Sequence, residues 1–340
     1  MASPDSRRDG PSPWNRIVAF ARIYGRWILL VLGVVAVAVL VRESGPERVL
    51  AVVFQALPWA PAIFALEVAW ISMDAFALRS IYRERGRGIP LSDWVRSSLT
   101  AYAVMVLLPA GRAGGEAMRA LHLSKHVGML SATAAAQVQG STLVANAVIS
   151  LPCFIAVAGM VGPAHPLSVV IALNGLATLL LGLGAMFVTS RSKLGASLAR
   201  RFSFMKQYAD QLDDAAAPLN AFPKGAVAWT VFGRVLQTLQ YGIILLAIGG
   251  QLTVTSSLVS QGIHLVGAGL GDMVPNAVGI TETAYRLSAD VLGFGDEPAR
   301  AIAIALVARL TQYTLAAIAL LAGAALRAPP DDLGKEIEST

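Results

Sequence analysis

Leu108-Pro109-Ala110-Gly111-Arg112-Ala113-Gly114-Gly115-Glu116 and Val274-Pro275-Asn276-Ala277-Val278-Gly279-Ile280-Thr281-Glu282 lie in opposite halves of the chain and carry proline and glutamate at one spacing. Arg119 follows the first copy and Arg286 the second. Proline removes a helix hydrogen bond and glycine permits an open backbone, so each copy predicts a broken helix with unpaired N–H and C=O groups. Within a bilayer such backbone is tolerated only where protein buries it or a wet cavity adjoins it. Paired broken helices in corresponding places are the sequence signature of an inverted-repeat transporter with its site between the repeats.

The surrounding sequence fits a bilayer. The 340 residues are 55% hydrophobic and 14% charged, and a soluble domain carries charge on nearer a quarter of its residues. The mean hydropathy is +0.61. Lys and Arg give a net charge of +6, but they cluster in short stretches between apolar segments, the pattern of cytoplasmic loops, which argues against a nucleic-acid partner.

Apolar stretches run from Trp27 to Val41, from about Pro58 to Leu78, Ser131 to Val161, Leu167 to Val188, Ala226 to Ile248 and Pro298 to Leu326. Arg16, Arg22 and Arg26 before the first, with Ala36-Val37-Ala38 within it, imitate a signal peptide. The spans that follow favour an uncleaved anchor. Glu47 to Leu57 is short and reads as interfacial. Two pieces are too short to cross: Leu99 to Pro109 is about 11 residues, or roughly 16 Å of helix against a core of about 30 Å, and Leu258 to Pro275 is followed by a polar, Gly-rich stretch to Gly295.

Placing the basic stretches in the cytoplasm puts both termini there, provided Leu99 to Lys125 and Leu258 to Gly293 are re-entrant hairpins from opposite faces. The expected fold is therefore an all-α polytopic membrane protein with about six full spans and two re-entrant broken-helix hairpins in an inverted repeat, set in a bacterial-type inner membrane. Residues 1–26 form a cytoplasmic N-terminal segment and 27–326 the membrane domain, with halves at about 58–188 and 226–326. Leu194, Leu198, Phe202 and Met205 mark an amphipathic surface helix over about 191–214. The Pro- and acid-rich 327–340 reads as a disordered cytoplasmic tail.

Ionisable residues inside spans are costly, so each is a site residue or half of a structural pair. Glu67 and Asp74 share one helix face, Arg234 lies with Gln237 and Tyr241 on another, and Arg309 with Gln312 and Tyr313 on a third. With Arg112, Glu116, Arg119, Glu282 and Arg286 beside the breaks, these form the candidate lipid-binding set. Guanidinium suits a lipid phosphate because it offers two parallel donors and stays charged at depth. Glu116 and Glu282 hold equivalent positions and are expected to meet near the midplane in one cavity.

No metal-ligand spacing links His122, His126, His165 and His264, and no nucleophile elbow, P-loop or dinucleotide fingerprint occurs, so no metal, cofactor or enzymatic chemistry is expected. Asp213-Asp214 lacks a second acidic pair at prenyltransferase spacing, and the single Cys153 reads as a packing residue.

The stretch from Pro109 to Glu116 with Arg119, the stretch from Pro275 to Glu282 and the late Ala308-Arg309-Leu310 resemble the flippase-like membrane domain of lysylphosphatidylglycerol synthases and their stand-alone relatives, over about residues 20 to 325. The resemblance implies lipid handling, since that domain is taken to flip the aminoacylated lipid, and a stand-alone relative without the soluble synthase domain is expected. Gln137, Gln139, Gly140 and Asn146 stand where the family's Arg-and-acid pair is expected.

The function that follows is a lipid transporter or flippase moving an anionic or isoprenoid-derived lipid, its phosphate-bearing headgroup held by the arginines. Two alternatives stay open: a membrane enzyme acting on a lipid headgroup, with Glu116 or Glu282 as general base, or an accessory subunit presenting lipid to a partner enzyme. A homo-oligomer or a partner lipid-modifying enzyme is compatible with either.

Overall fold

The computed structural model describes residues 13–108, 111–190, 219–271 and 277–326, with only the backbone described for 13–27, Leu29 and Gly271. Pro109 and Pro275, the amphipathic segment 191–214 and the tail 327–340 lie outside the described residues. The described residues are helical and contain no strand.

Helix α1 (Pro13–Ser44) leads through a turn at Gly45 into the short α2 (Pro46–Gln55). The long apolar α3 (Ala60–Tyr82) begins with a proline in its first turn and ends at Arg83, whose φ of 50° stops the helix. Helices α4 (Leu91–Leu107) and α5 (Gly111–Val127) form a hairpin. Lys125 and His126 at the end of α5 close it against Asp93 at the start of α4. Helices α6 (Leu130–Val161) and α7 (Pro166–Ser190) pack along their length, where a methyl added at Gly182 would lie 2.8 Å from the Gly140 carbonyl oxygen.

The described chain continues with α8 (Lys224–Ala247), α9 (Val254–Gly271) packed on the short α10 (Ile280–Leu287), and α11 (Pro298–Ala325). Among the described residues, five helices are long and apolar enough to cross a membrane: those containing α3, α6, α7, α8 and α11. Helix α1 is longer than the apolar run from Trp27 to Val41, because helical backbone extends on both sides of it.

Several of the larger contacts join helices far apart in the chain. Helix α3 packs on α8, α4 packs on α11, and α9 packs on α6. A core of Ile149, Cys153, Ile244, Ile263 and Ile304 fills the space between α6, α8, α9 and α11, so Cys153 is a buried packing residue. Several serine and threonine hydroxyls within the long helices bond their own backbone one turn earlier, as Ser141 does to Gln137 O at 2.9 Å, which satisfies them without water.

Candidate functional site

Both sequence copies are breaks. Helix α4 stops at Leu107, Leu108 is extended, and Gly111 restarts the chain with φ 57°, a value that glycine adopts without strain. The second break precedes α10. Gly279 has φ 83°, and Ala277, which carries a Cβ, is held at φ 52°. A left-handed residue with a Cβ costs roughly 1–2 kcal/mol, which marks the second break as strained.

The breaks share one cavity. Gly111 and Arg112 of the first and Ala277 and Thr281 at the second line a space of about 210 Å³. Arg234 and Tyr241 of α8, Arg309 of α11 and His264 of α9 complete its walls. Three guanidiniums thus come from three helices to one cavity.

Their partners differ. Arg112 donates to Asp74 Oδ2 on α3 at 3.1 Å. Arg309 donates from Nε to Glu282 Oε1 at 2.8 Å and from Nη2 to the Ala277 carbonyl at 3.4 Å. The other oxygen of Glu282 accepts the Gly279 N–H at 2.8 Å, so one carboxylate caps α10 and fixes a cavity arginine. Arg234 donates only to the neutral Gln237, at 2.6 Å, a carbonyl oxygen that also accepts from Gln261 at 3.1 Å. It forms no ion pair among the described residues and is only 4% exposed. The Nε atoms of Arg112 and Arg234 and Oδ1 of Asn146, which also lines the cavity, are buried without a hydrogen-bond partner. Buried polar groups normally have one, and a ligand that brings acceptors satisfies the guanidinium donors.

The remaining candidates sit around this centre. Glu67 is buried one layer behind it, accepting from Tyr102 Oη at 2.8 Å and Gln240 Nε2 at 2.8 Å. Its oxygens are engaged by these neutral donors, and it ties α3 to α4 and α8. Glu116 pairs with Arg119 at 3.2 Å along α5, and the two line a small adjoining space with Asp74 and Arg112. The expectation that Glu116 and Glu282 meet in one cavity is therefore not the arrangement found: each holds its own arginine, and the cavity wall is made of the breaks and guanidiniums instead. Arg286 also lies apart from the cavity lining. It donates to Ser44 Oγ at 3.0 Å and pairs with Glu43 at 3.4 Å, joining α10 to the end of α1.

Sequence reading missed Trp70. Its ring lies 6.0 Å from the Arg112 guanidinium carbon and 5.7 Å from that of Arg234, close enough for cation–π attraction to both. It also missed His264, whose Nδ1 lies 2.6 Å from Tyr241 Oη. A tryptophan or histidine alone in an apolar helix gives no signal of its partners. Among the described residues, no group of three or more His, Cys, Asp and Glu is gathered as a metal site.

The family described as "Lysylphosphatidylglycerol synthase TM region" matches residues 26–319. The chain belongs to this family. As a member of the lysylphosphatidylglycerol synthase TM-region family with long apolar helices, it is a multi-pass membrane protein of a lipid-related family. No curated protein and no solved structure matches it.

Proposed function

We propose that this chain is a lipid transporter or flippase that moves an anionic or isoprenoid-derived lipid between leaflets of the inner membrane, with the phosphate of the headgroup held in the arginine-lined cavity. One observation carries the reading: Arg234, buried without a carboxylate partner, faces the same cavity as Arg112 and Arg309. A buried cation without a direct ion pair is costly, and an anionic ligand that enters offsets the cost while gaining charge-assisted hydrogen bonds.

The architecture supports transport. The exchange of contacts between halves, α3 on α8 and each hairpin on the opposite half, fits an inverted repeat of six spans and two re-entrant hairpins whose breaks meet at the centre. Arg83 at the end of α3 and Lys224 at the start of α8 line one space, and with Arg79, Arg85 and Arg87 close by in sequence the charge bias favours the cytoplasm for this face; both termini would lie on the same side in this reading. Transport is preferred to the enzymatic alternative because Glu116 and Glu282, the bases that alternative would use, each pair with an arginine and stand outside the cavity lining.

Reconstitution of the purified chain into vesicles carrying trace fluorescent phosphatidylglycerol or phosphatidylcholine tests the proposal. Movement of the anionic probe between leaflets, with its mass unchanged, is the expected result. A changed lipid mass supports the enzyme, and no movement of either probe removes the transport reading.

A further inference from the structure

Helices α3 and α4 are consecutive yet touch at few places, because α3 is drawn against α8 and α4 against α5 and α11. Between them lies an apolar groove of about 310 Å³. Val68, Ile71, Ala75 and Phe76 supply one wall from a single stripe of α3, and Val95 and Leu99 of α4 supply the other. From Val68 to Arg79 this stripe rises about 16 Å along the helix.

The ends of the groove differ. At the basic face it finishes at Arg79, which is exposed and forms no ion pair among the described residues. At depth it finishes on Tyr102, whose ring also walls the arginine cavity and the small space holding Glu116. Along its side the Ser98 hydroxyl is buried without a hydrogen-bond partner. An apolar channel with one cation, Arg79, at one end and Tyr102, which also walls the central cavity, at the other has the polarity of a lipid lying along it.

We propose that this groove is a lateral seat for one hydrocarbon chain of an anionic phospholipid whose phosphate lies at Arg79, the position from which the lipid reaches the central cavity. The inference rests on the transport reading and adds where the substrate waits and which leaflet supplies it. Arg79 selects the headgroup by charge, and the stripe from Val68 to Phe76 holds the chain without regard to headgroup.

The test uses the full chain with Cys153→Ala, carrying either Ser72→Cys in the groove or Leu176→Cys on the outward face of α7, each labelled with a fluorophore. The protein is placed in phosphatidylcholine vesicles containing a small, equal fraction of phosphatidylglycerol or phosphatidylcholine with a nitroxide on the acyl chain. At Ser72, nitroxide-bearing phosphatidylglycerol is expected to quench several-fold more strongly than phosphatidylcholine, and at Leu176 equally. Arg79→Gln, a change at an exposed position, removes the preference at Ser72. Equal quenching by the two lipids at Ser72, or a preference that survives Arg79→Gln, overturns the proposal. Selective quenching in a protein that does not transport leaves the seat and removes the transport reading, whereas transport without selective quenching does the reverse.

Discussion

Glu282 binds Arg309 with one oxygen at 2.8 Å and the Gly279 N–H with the other at 2.8 Å, so the second break and the cavity arginine are fixed by a single carboxylate. Glu282 is fully buried. Removing it leaves a buried guanidinium without its carboxylate, a loss of about 3–5 kcal/mol for a broken buried pair.

Glu282→Ala is therefore expected to lower the melting temperature sharply, and Glu282→Gln, which keeps an acceptor for the cap, less so. The double variant Glu282→Gln with Arg309→Gln recovers part of the loss because no charge is stranded. Melting followed by size-exclusion fluorescence in detergent measures all three. A double variant less stable than either single one contradicts the pairing.

Trp70 attracts both Arg112 and Arg234 through its ring face, each contact being worth about 0.5–2 kcal/mol. Trp70→Phe is expected to keep most of the transport rate. Trp70→Leu, which keeps apolar volume but has no ring, is expected to reduce it about tenfold, roughly 1.4 kcal/mol in the barrier. Equal rates in the two variants refute a role for the ring.

At the mouth of the first hairpin, burial raises the Asp93 carboxyl, but hydrogen bonds from His126 and Lys125 outweigh it, and the group is held below its ordinary value. A carboxylate depressed in the folded state adds stability that is complete above its unfolded value, about 4, and is lost as the pH falls through the lower folded value. Hydrogen exchange in residues 91–96 and 120–127 should thus be flat from neutral pH down to about 4 once intrinsic rates are removed, and should accelerate below that. In Asp93→Asn the exchange is already fast at neutral pH, and an unchanged acid limb contradicts the assignment.

The breaks were legible because glycine acts on the backbone locally, and Gly111 and Gly279 both take positive φ beside their helix starts. The partnerships of the charges were less so. Arg286 sits beside the second break in sequence, but one turn of α10 carries it to Glu43 and Ser44 on α1, some 240 residues away along the chain. Glu116 and Glu282 occupy equivalent sequence positions, yet α5 begins at Gly111 and α10 only at Ile280, so Glu282 becomes a helix cap and Glu116 a mid-helix partner of Arg119. Tyr102 reaches Glu67 across helices, and no periodicity in either segment announces the contact.

The role proposed for Arg234, a buried cation kept for an anionic lipid, is tested by the flux of fluorescent phosphatidylglycerol in vesicles containing Arg234→Gln. A charge-assisted hydrogen bond is worth about 1.5–3 kcal/mol, so the account predicts that flux falls about tenfold or more while the melting temperature holds or rises. Wild-type flux in Arg234→Gln, or a collapse of stability with the remaining folded protein fully active, contradicts it.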